Sequence, residues 1–307
     1  MPLPAALLCL RSGAREMGCL PVFRHILGVV LIGCVTSAMA QPFGSRNILV
    51  VEEGTGRVLL EKNAHVEVPI ASLTKLMTAM VVLDAKSDMD EVISIEEPEV
   101  PTTTRSSSRV PLGATLPRKT VLQLALMSSD NRAASSLART YPGGEAALMV
   151  AVKRKLEVLG MAHTTIEEPT GLSSNNKSTA ADLVKMVRAA AHYPDIARIT
   201  TDSRDIVDVN GRAVEYYNTN RLVGQKGWDI LLSKTGFTAP AGRCLAMRLQ
   251  SAGQTVIMVL LNAKASATRT LDALNVRRLL AGGKIPLTPI ASLNLAQPAN
   301  HRVHVQM

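Results

Sequence analysis

Three apolar runs, Trp228-Asp-Ile-Leu-Leu-Ser233, Arg243-Cys-Leu-Ala-Met-Arg-Leu249 and Thr255-Val-Ile-Met-Val-Leu-Leu261, decide the fold. Each has strand length, and glycine-containing connections short enough for antiparallel neighbours join them. Toward the N-terminus, Ile48-Leu-Val-Val51 and Arg57-Val-Leu-Leu60 flank Glu52-Glu-Gly-Thr-Gly56 and read as a hairpin. Between these groups the apolar period is helical. Residues 71–86 carry Leu73, Leu76, Met77, Met80 and Leu83 on a helical repeat, with Pro69 just upstream. Further helices are expected at about 119–128, 131–140, 144–159 and 179–192, and a last one near 268–281 would cover the sheet. The order is strand pair, helices, three strands, helix. It predicts an α+β fold in which both ends of the chain build one sheet of about five antiparallel strands, flanked by helices, with an inserted all-α lobe. That domain spans 41–283. Residues 284–307, with Pro286, Pro289 and Pro298, read as a tail.

The N-terminus reads as an address. After Arg24 and His25 come the apolar run Ile26 to Cys34 and the small-residue pattern Ala38-Met39-Ala40, so residues 1–40 form a secretory signal peptide cut before Gln41. The run is short for a membrane span. Leu31-Ile32-Gly33 before Cys34 also resembles a lipobox, the rival reading in which lipid on Cys34 anchors the chain. Met17 is an alternative start. Export places the mature protein in the periplasm.

The chain of 307 residues has 34 Lys and Arg against 25 Asp and Glu. Cleavage removes Arg11, Arg15, Arg24 and Glu16 and leaves a net charge of +7. A basic balance favours an anionic partner such as a wall polymer or lipid surface, or only solubility. With 3 Phe, 1 Trp and 4 Tyr the chain lacks the aromatic faces of a platform for single-stranded nucleic acid, so no nucleic acid is expected. Cys9, Cys19 and Cys34 leave with the signal, and Cys244 alone cannot form an internal disulfide. His65, His163, His192, His301 and His304 are scattered without a ligand pattern, so neither metal nor cofactor is expected.

Three short motifs carry the chemistry. In Ser72-Leu-Thr-Lys75, residues three apart at the start of a helix share a face, so the Lys75 amine can reach the Ser72 hydroxyl. The helix N-terminus offers unpaired N–H groups to a developing oxyanion. Alone this is weak, because a lysine on an exposed helix face has the same spacing. Ser129-Asp130-Asn131 lies between two helices, where its bland role is an N-cap. Lys234-Thr235-Gly236 ends a strand candidate; glycine there admits a close backbone or ligand, and Lys with Thr could hold a carboxylate. S-x-x-K, S-D-N and K-T-G in this order are together the signature of penicillin-binding proteins and class A β-lactamases. Separations of 57 and 105 residues between Ser72, Ser129 and Lys234 put helix, inter-helix loop and strand where that fold has them.

Pro69 to Ala79, Ala125 to Ala133, Pro169-Thr-Gly-Leu172, Thr179-Ala-Ala-Asp-Leu183, Asn218-Thr-Asn220 and Ser233 to Thr238 resemble the low-molecular-mass penicillin-binding proteins. The likeness covers most of residues 45–283 and is strongest to the D-alanyl-D-alanine endopeptidase branch. It implies a β-lactamase/transpeptidase-like fold, with peptidoglycan peptides as substrates and β-lactams as covalent inhibitors. By the same resemblance Ser72 would be the nucleophile, and Lys75 its general base, with a pKa lowered from ~10.4 toward ~7–8. Ser129 would relay the proton to the leaving amine and Asn131 would bind the substrate amide. Lys234 and Thr235 would hold the substrate's carboxylate or peptide end, with Gly236 beside them. The N–H groups of Ser72 and Phe237 would form the oxyanion hole.

The carboxypeptidase branch typically continues after K-T-G into a second β-rich domain and an amphipathic anchor helix. Only 71 residues follow Gly236 here, which favours the endopeptidase; at most loose membrane or wall association is expected. A class A β-lactamase needs a deacylating Glu, and Glu167 and Glu168 lack that enzyme's surrounding pattern. The alternatives are a carboxypeptidase, a catalytically poor binding protein, and a basic wall- or nucleic-acid-binding module. Lys264 and Arg269 are expected to be solvated, Cys244 buried, and Arg105-Ser-Ser-Ser-Arg109 is a polar loop without an assigned role.

Overall fold

The computed structural model describes residues 43–96 and 108–283. The expected signal peptide, the tail and residues 105–107 of the polar loop lie outside them. The chain opens with β1 (Asn47–Glu52) and β2 (Val58–Lys62), the expected hairpin. β3 (Val68–Pro69) and a 3₁₀ turn (Ala71–Leu73) lead into α1 (Thr74–Asp84). β4 (Val92–Ser94) and β5 (Thr115–Pro117) form a small ribbon. Next come α2 (Arg118–Leu126), α3 (Asn131–Arg139) and α4 (Gly144–Val158). Then β6 (Lys177–Ser178) pairs with β3, and α5 (Ala180–Ala190) follows. The chain continues through α6 (Pro194–Thr201) and the hairpin β7 (Arg204–Val209) and β8 (Arg212–Tyr217). It ends with β9 (Asp229–Thr238), β10 (Gly242–Ser251), β11 (Gln254–Ala263) and α7 (Ser266–Leu280).

The five-stranded sheet has the order β2-β1-β11-β10-β9, every pair antiparallel, so the two ends of the chain do meet in one sheet. Strand alternation splits its side chains between two cores. Leu49, Val51, Ala246, Ile257 and Val259 face α5, in a core that α1 shares. Ile48, Val50, Met247, Met258 and Leu260 face Ala273 and Val276 of α7. Each Leu, Ile, Val or Met among them contributes ~1.5–3 kcal/mol by leaving water. Asp272 of α7 adds a polar clasp by accepting from Gly44 N (2.9 Å), Ser45 N (2.6 Å) and Ser45 Oγ (2.6 Å), which fixes where β1 begins.

Helix α1 is buried from Thr74 through Val82, which makes it the central post of the molecule. The inserted region is mainly helical, but it also carries the three short ribbons β3/β6, β4/β5 and β7/β8, so it is not purely α. K-T-G likewise stands inside β9, which runs on to Thr238, instead of ending it. β9 is an edge of the sheet, with one side of its backbone outside the ladder.

Candidate active site

The turn that carries Ser72 is held from two sides. Ala71 takes a left-handed conformation, φ +49°, costly for a residue with a side chain and sustained only by surrounding contacts. Two glycines allow those contacts. A Cβ on Gly236 of β9 would meet Ile70 O at 2.9 Å and Ser72 N at 3.1 Å. One on Gly171, at φ +87°, would lie 2.1 Å from Ala71 O and 2.8 Å from Ser72 N. The backbones of strand β9 and of the loop before β6 therefore close around the Ser72 amide.

Lys75 lies in the first turn of α1, 1% exposed. Its Nζ is 3.0 Å from Ser72 Oγ, 2.5 Å from Asn131 Oδ1 and 2.7 Å from the Thr170 carbonyl oxygen. Asn131 and Thr170 O can only accept at these contacts, so a neutral amine gives its two protons to them and turns its lone pair toward the serine hydroxyl. Burial pushes the Lys75 pKa down to about 8, against the opposing pull of the Glu168 and Asp130 carboxylates.

Ser129-Asp130-Asn131 divides its work. Asp130 is the N-cap of α3, accepting from Ala133 N at 3.1 Å, and also accepts from Ser108 Oγ at 2.7 Å, which brings the end of the polar loop to this turn. With the cap supplied by Asp130, Ser129 at φ +61° and Asn131 face the site. Ser129 Oγ accepts from Lys234 Nζ at 2.7 Å. Lys234 is 1% exposed, and burial, then the Lys75 charge, then Arg269 hold its pKa well below the usual lysine range. Thr235 Oγ1 pairs with Thr219 Oγ1 at 2.6 Å. Phe237 differs: its ring is 51% exposed under the Arg243 guanidinium, 3.4 Å from the ring centroid, so its side chain takes no part in the buried cluster.

Several residues beyond the motifs build the site. The Glu168 carboxylate is buried and accepts from Thr170 N (2.7 Å), Thr170 Oγ1 (2.6 Å), Gly171 N (2.6 Å), Ser173 N (3.2 Å) and Asn176 Nδ2 (2.9 Å). It folds the loop that presents Thr170 O to Lys75. Asn176 Nδ2 also donates to Thr74 Oγ1 at 3.2 Å, which ties that loop to α1. With its oxygens so engaged, Glu168 is not a spare base for a deacylating water, and Glu167 is exposed. The signal in the sequence was Glu-Pro-Thr-Gly, a carboxylate just ahead of a turn that needs positive φ. Arg269 corrects an expectation: it is buried, donates to Cys244 O at 3.2 Å, and has its pKa lowered to about 10 by burial first and by Arg243 second. Lys264 is exposed and Cys244 buried, as expected. Among the described residues no group of His, Cys, Asp or Glu could hold a metal ion, and no helix is long and apolar enough to cross a membrane.

Comparison with known proteins gives this geometry its family. The model of the family described as D-alanyl-D-alanine carboxypeptidase, peptidase S11, matches residues 35–265. A D-alanyl-D-alanine endopeptidase of Pseudomonas aeruginosa is 43% identical over 256 residues, covering 83% of each chain. One of Escherichia coli is 40% identical over 268 residues, covering 87% of this chain and 86% of the other. Among solved structures, penicillin-binding protein D2 of Listeria monocytogenes, in its cefotaxime-bound form, is 26% identical with a TM-score of 0.69 over 78% of this chain and 98% of that one. The Streptomyces K15 DD-transpeptidase, 22% identical with a TM-score of 0.71 over the same shares, has the same fold. With a serine and a buried lysine side by side in that fold, the chain belongs to the D-alanyl-D-alanine carboxypeptidase family S11 of serine peptidases.

Proposed function

We propose that this protein is a serine DD-peptidase that cuts peptidoglycan stem peptides through an acyl-enzyme, and that its main activity is D-alanyl-D-alanine endopeptidase cleavage of crosslinks. The observation that carries the chemistry is Lys75, an amine of lowered pKa 3.0 Å from the Ser72 hydroxyl. Ser72 Oγ attacks the D-alanyl carbonyl while its proton passes to Lys75 Nζ. The tetrahedral oxyanion lies against the N–H groups of Ser72 and Phe237. Ser129, accepting from Lys234, is free to give its own proton to the leaving nitrogen, and Lys75 restores that proton. Asn131 binds the substrate amide, and the substrate strand runs along edge strand β9, with Lys234 and Thr235 holding its carboxylate or peptide end. Water then cleaves the acyl-enzyme. A β-lactam follows the same first step and stays attached to Ser72.

The endopeptidase preference is supported by the 43% and 40% identical relatives, both named as endopeptidases. Carboxypeptidase action is the second reading, favoured by the family model's description. The expected signal peptide, with Ala38-Met39-Ala40, supports a periplasmic mature protein of residues 41–307. Incubation with crosslinked dimeric muropeptides and with pentapeptide monomers tests the reading by product mass. Dimers converted to monomers are expected. Loss of only the terminal D-alanine would move the protein to the carboxypeptidases, and no reaction with either substrate would leave a binding protein.

A further inference from the structure

A groove of about 730 Å³ opens beside the catalytic cluster, between the end of β8 and the segment that leads to β9. It starts at Thr219, whose hydroxyl is paired with Thr235 of K-T-G, so the groove continues from the position assigned to the carboxylate or peptide end of the substrate. Its wall is fixed: Asn218 Nδ2 donates to Thr200 O at 3.1 Å and Asp202 O at 2.9 Å, and Asn218 Oδ1 accepts from Asn220 N at 2.9 Å. Tyr217, about half exposed, lends an aromatic face. Of the two arginines lining it, Arg204 is paired with Glu215 at 3.0 Å. Arg221 is exposed and has no acidic partner among the described residues. Volumes of ~300–1,000 Å³ are those of pockets that enclose a ligand of drug size, which is also the size of a short peptide.

We propose that this groove binds the leaving half of a crosslinked substrate, a carboxylate-bearing peptide that continues past the scissile bond, with Arg221 pairing a carboxylate of that strand. The inference rests on the endopeptidase reading. A leaving D-alanine ends at Thr235 and does not enter the groove, whereas a crosslinked stem peptide must go on. A planar guanidinium without an acidic partner among the described residues matches a carboxylate with two parallel hydrogen bonds.

The test uses the purified chain with Arg221→Gln and Arg221→Glu. Steady-state cleavage of dimeric muropeptides is divided by the second-order rate of acylation with benzylpenicillin, which carries no leaving strand. That ratio is expected to fall about 3- to 10-fold in Arg221→Gln through a higher KM, and further in Arg221→Glu, as for a partly exposed ion pair. Amidating the carboxylates of the leaving stem should lower the wild-type ratio similarly and leave little for Arg221→Gln to remove, the non-additivity of a direct pair. Arg212→Gln, at the far tip of the β7/β8 hairpin, controls for net charge and should match the wild type. An unaltered ratio in both Arg221 variants, or an equal loss on free and amidated dimers, overturns the proposal. A wild-type protein that penicillin acylates but that trims only pentapeptides would instead overturn the endopeptidase reading.

Discussion

Replacing Glu168 by Gln separates the two things this carboxylate does: it holds the loop, and its charge acts on Lys75. The carboxylate accepts from three backbone N–H groups, one hydroxyl and one amide. A glutamine keeps the side facing Gly171, Ser173 and Asn176 with its oxygen and turns its NH₂ toward Thr170, orphaning the buried Thr170 N–H. One unsatisfied buried donor costs ~1–3 kcal/mol, and weakening of the remaining charge-assisted bonds brings the total to ~2–4 kcal/mol. For a domain of this size that lowers Tm by ~5–15 °C and leaves it folded at 25 °C. The electrostatic effect has the opposite sign for the base. The Glu168 charge raises the Lys75 pKa against burial, so its removal lets that pKa fall below about 8. Acylation needs the neutral amine. In the wild type the rate of penicillin acylation should rise with pH and level off above about pH 8. In Glu168→Gln the plateau should be lower, because Thr170 O is less well placed, while the rising limb moves to lower pH. The assay is stopped-flow acylation by a chromogenic cephalosporin from pH 5.5 to 9.5. A limb that stays in place or moves to higher pH refutes the electrostatic argument, whatever happens to the plateau.

Gly236→Ala should cut acylation by at least ~100-fold, since its Cβ meets backbone at 2.9–3.1 Å and β9 must move away from Ser72; acylation within threefold of wild type would contradict this. Gly171→Ala, with φ +87° and a 2.1 Å clash on Ala71 O, should lose more than ~2 kcal/mol in urea unfolding. Asp272→Ala leaves three donors of Gly44 and Ser45 unpaired and should cost ~2–4 kcal/mol; an unmoved urea midpoint would show that the clasp contributes nothing. The Cys244 thiol, pushed up to about 11 chiefly by burial, should resist a thiol-titrating disulfide in the native protein and react in 8 M urea. Native labelling at the rate of a free thiol would show that the strand opens there.

The sheet was legible because its strands carry apolar runs of four to six residues buried on both faces: Ile48 to Val51, Cys244 to Met247 and Val256 to Leu261. α6 escaped notice because an eight-residue helix with Ile196 and Ile199 as its buried aliphatics has too short a period to stand out. The β7/β8 hairpin was readable and missed. Asn210-Gly211, at φ +54° and +79°, is the pair that a tight hairpin turn requires. In the site, the motif residues were found because their order is specific, but the roles within Ser129-Asp130-Asn131 were not separable. The structure gives the cap to Asp130, while the backbone twist at Ser129 turns Ser129 toward Lys234 and Asn131 lies against Lys75. Arg269 was expected to be solvated because burial of a charged side chain depends on partners distant in sequence, here the Cys244 carbonyl, and no local pattern reports them; Glu168 received no structural role although most of its partners lie within five residues of it.

The central claim is that Ser72, activated by Lys75, forms the covalent intermediate. Benzylpenicillin incubated with the purified protein, followed by intact mass and peptide mapping, tests it most directly. The account predicts one penicilloyl group per chain, located on the peptide that contains Ser72, and none in Ser72→Ala. An adduct on another residue, or an undiminished adduct in Ser72→Ala, would contradict it.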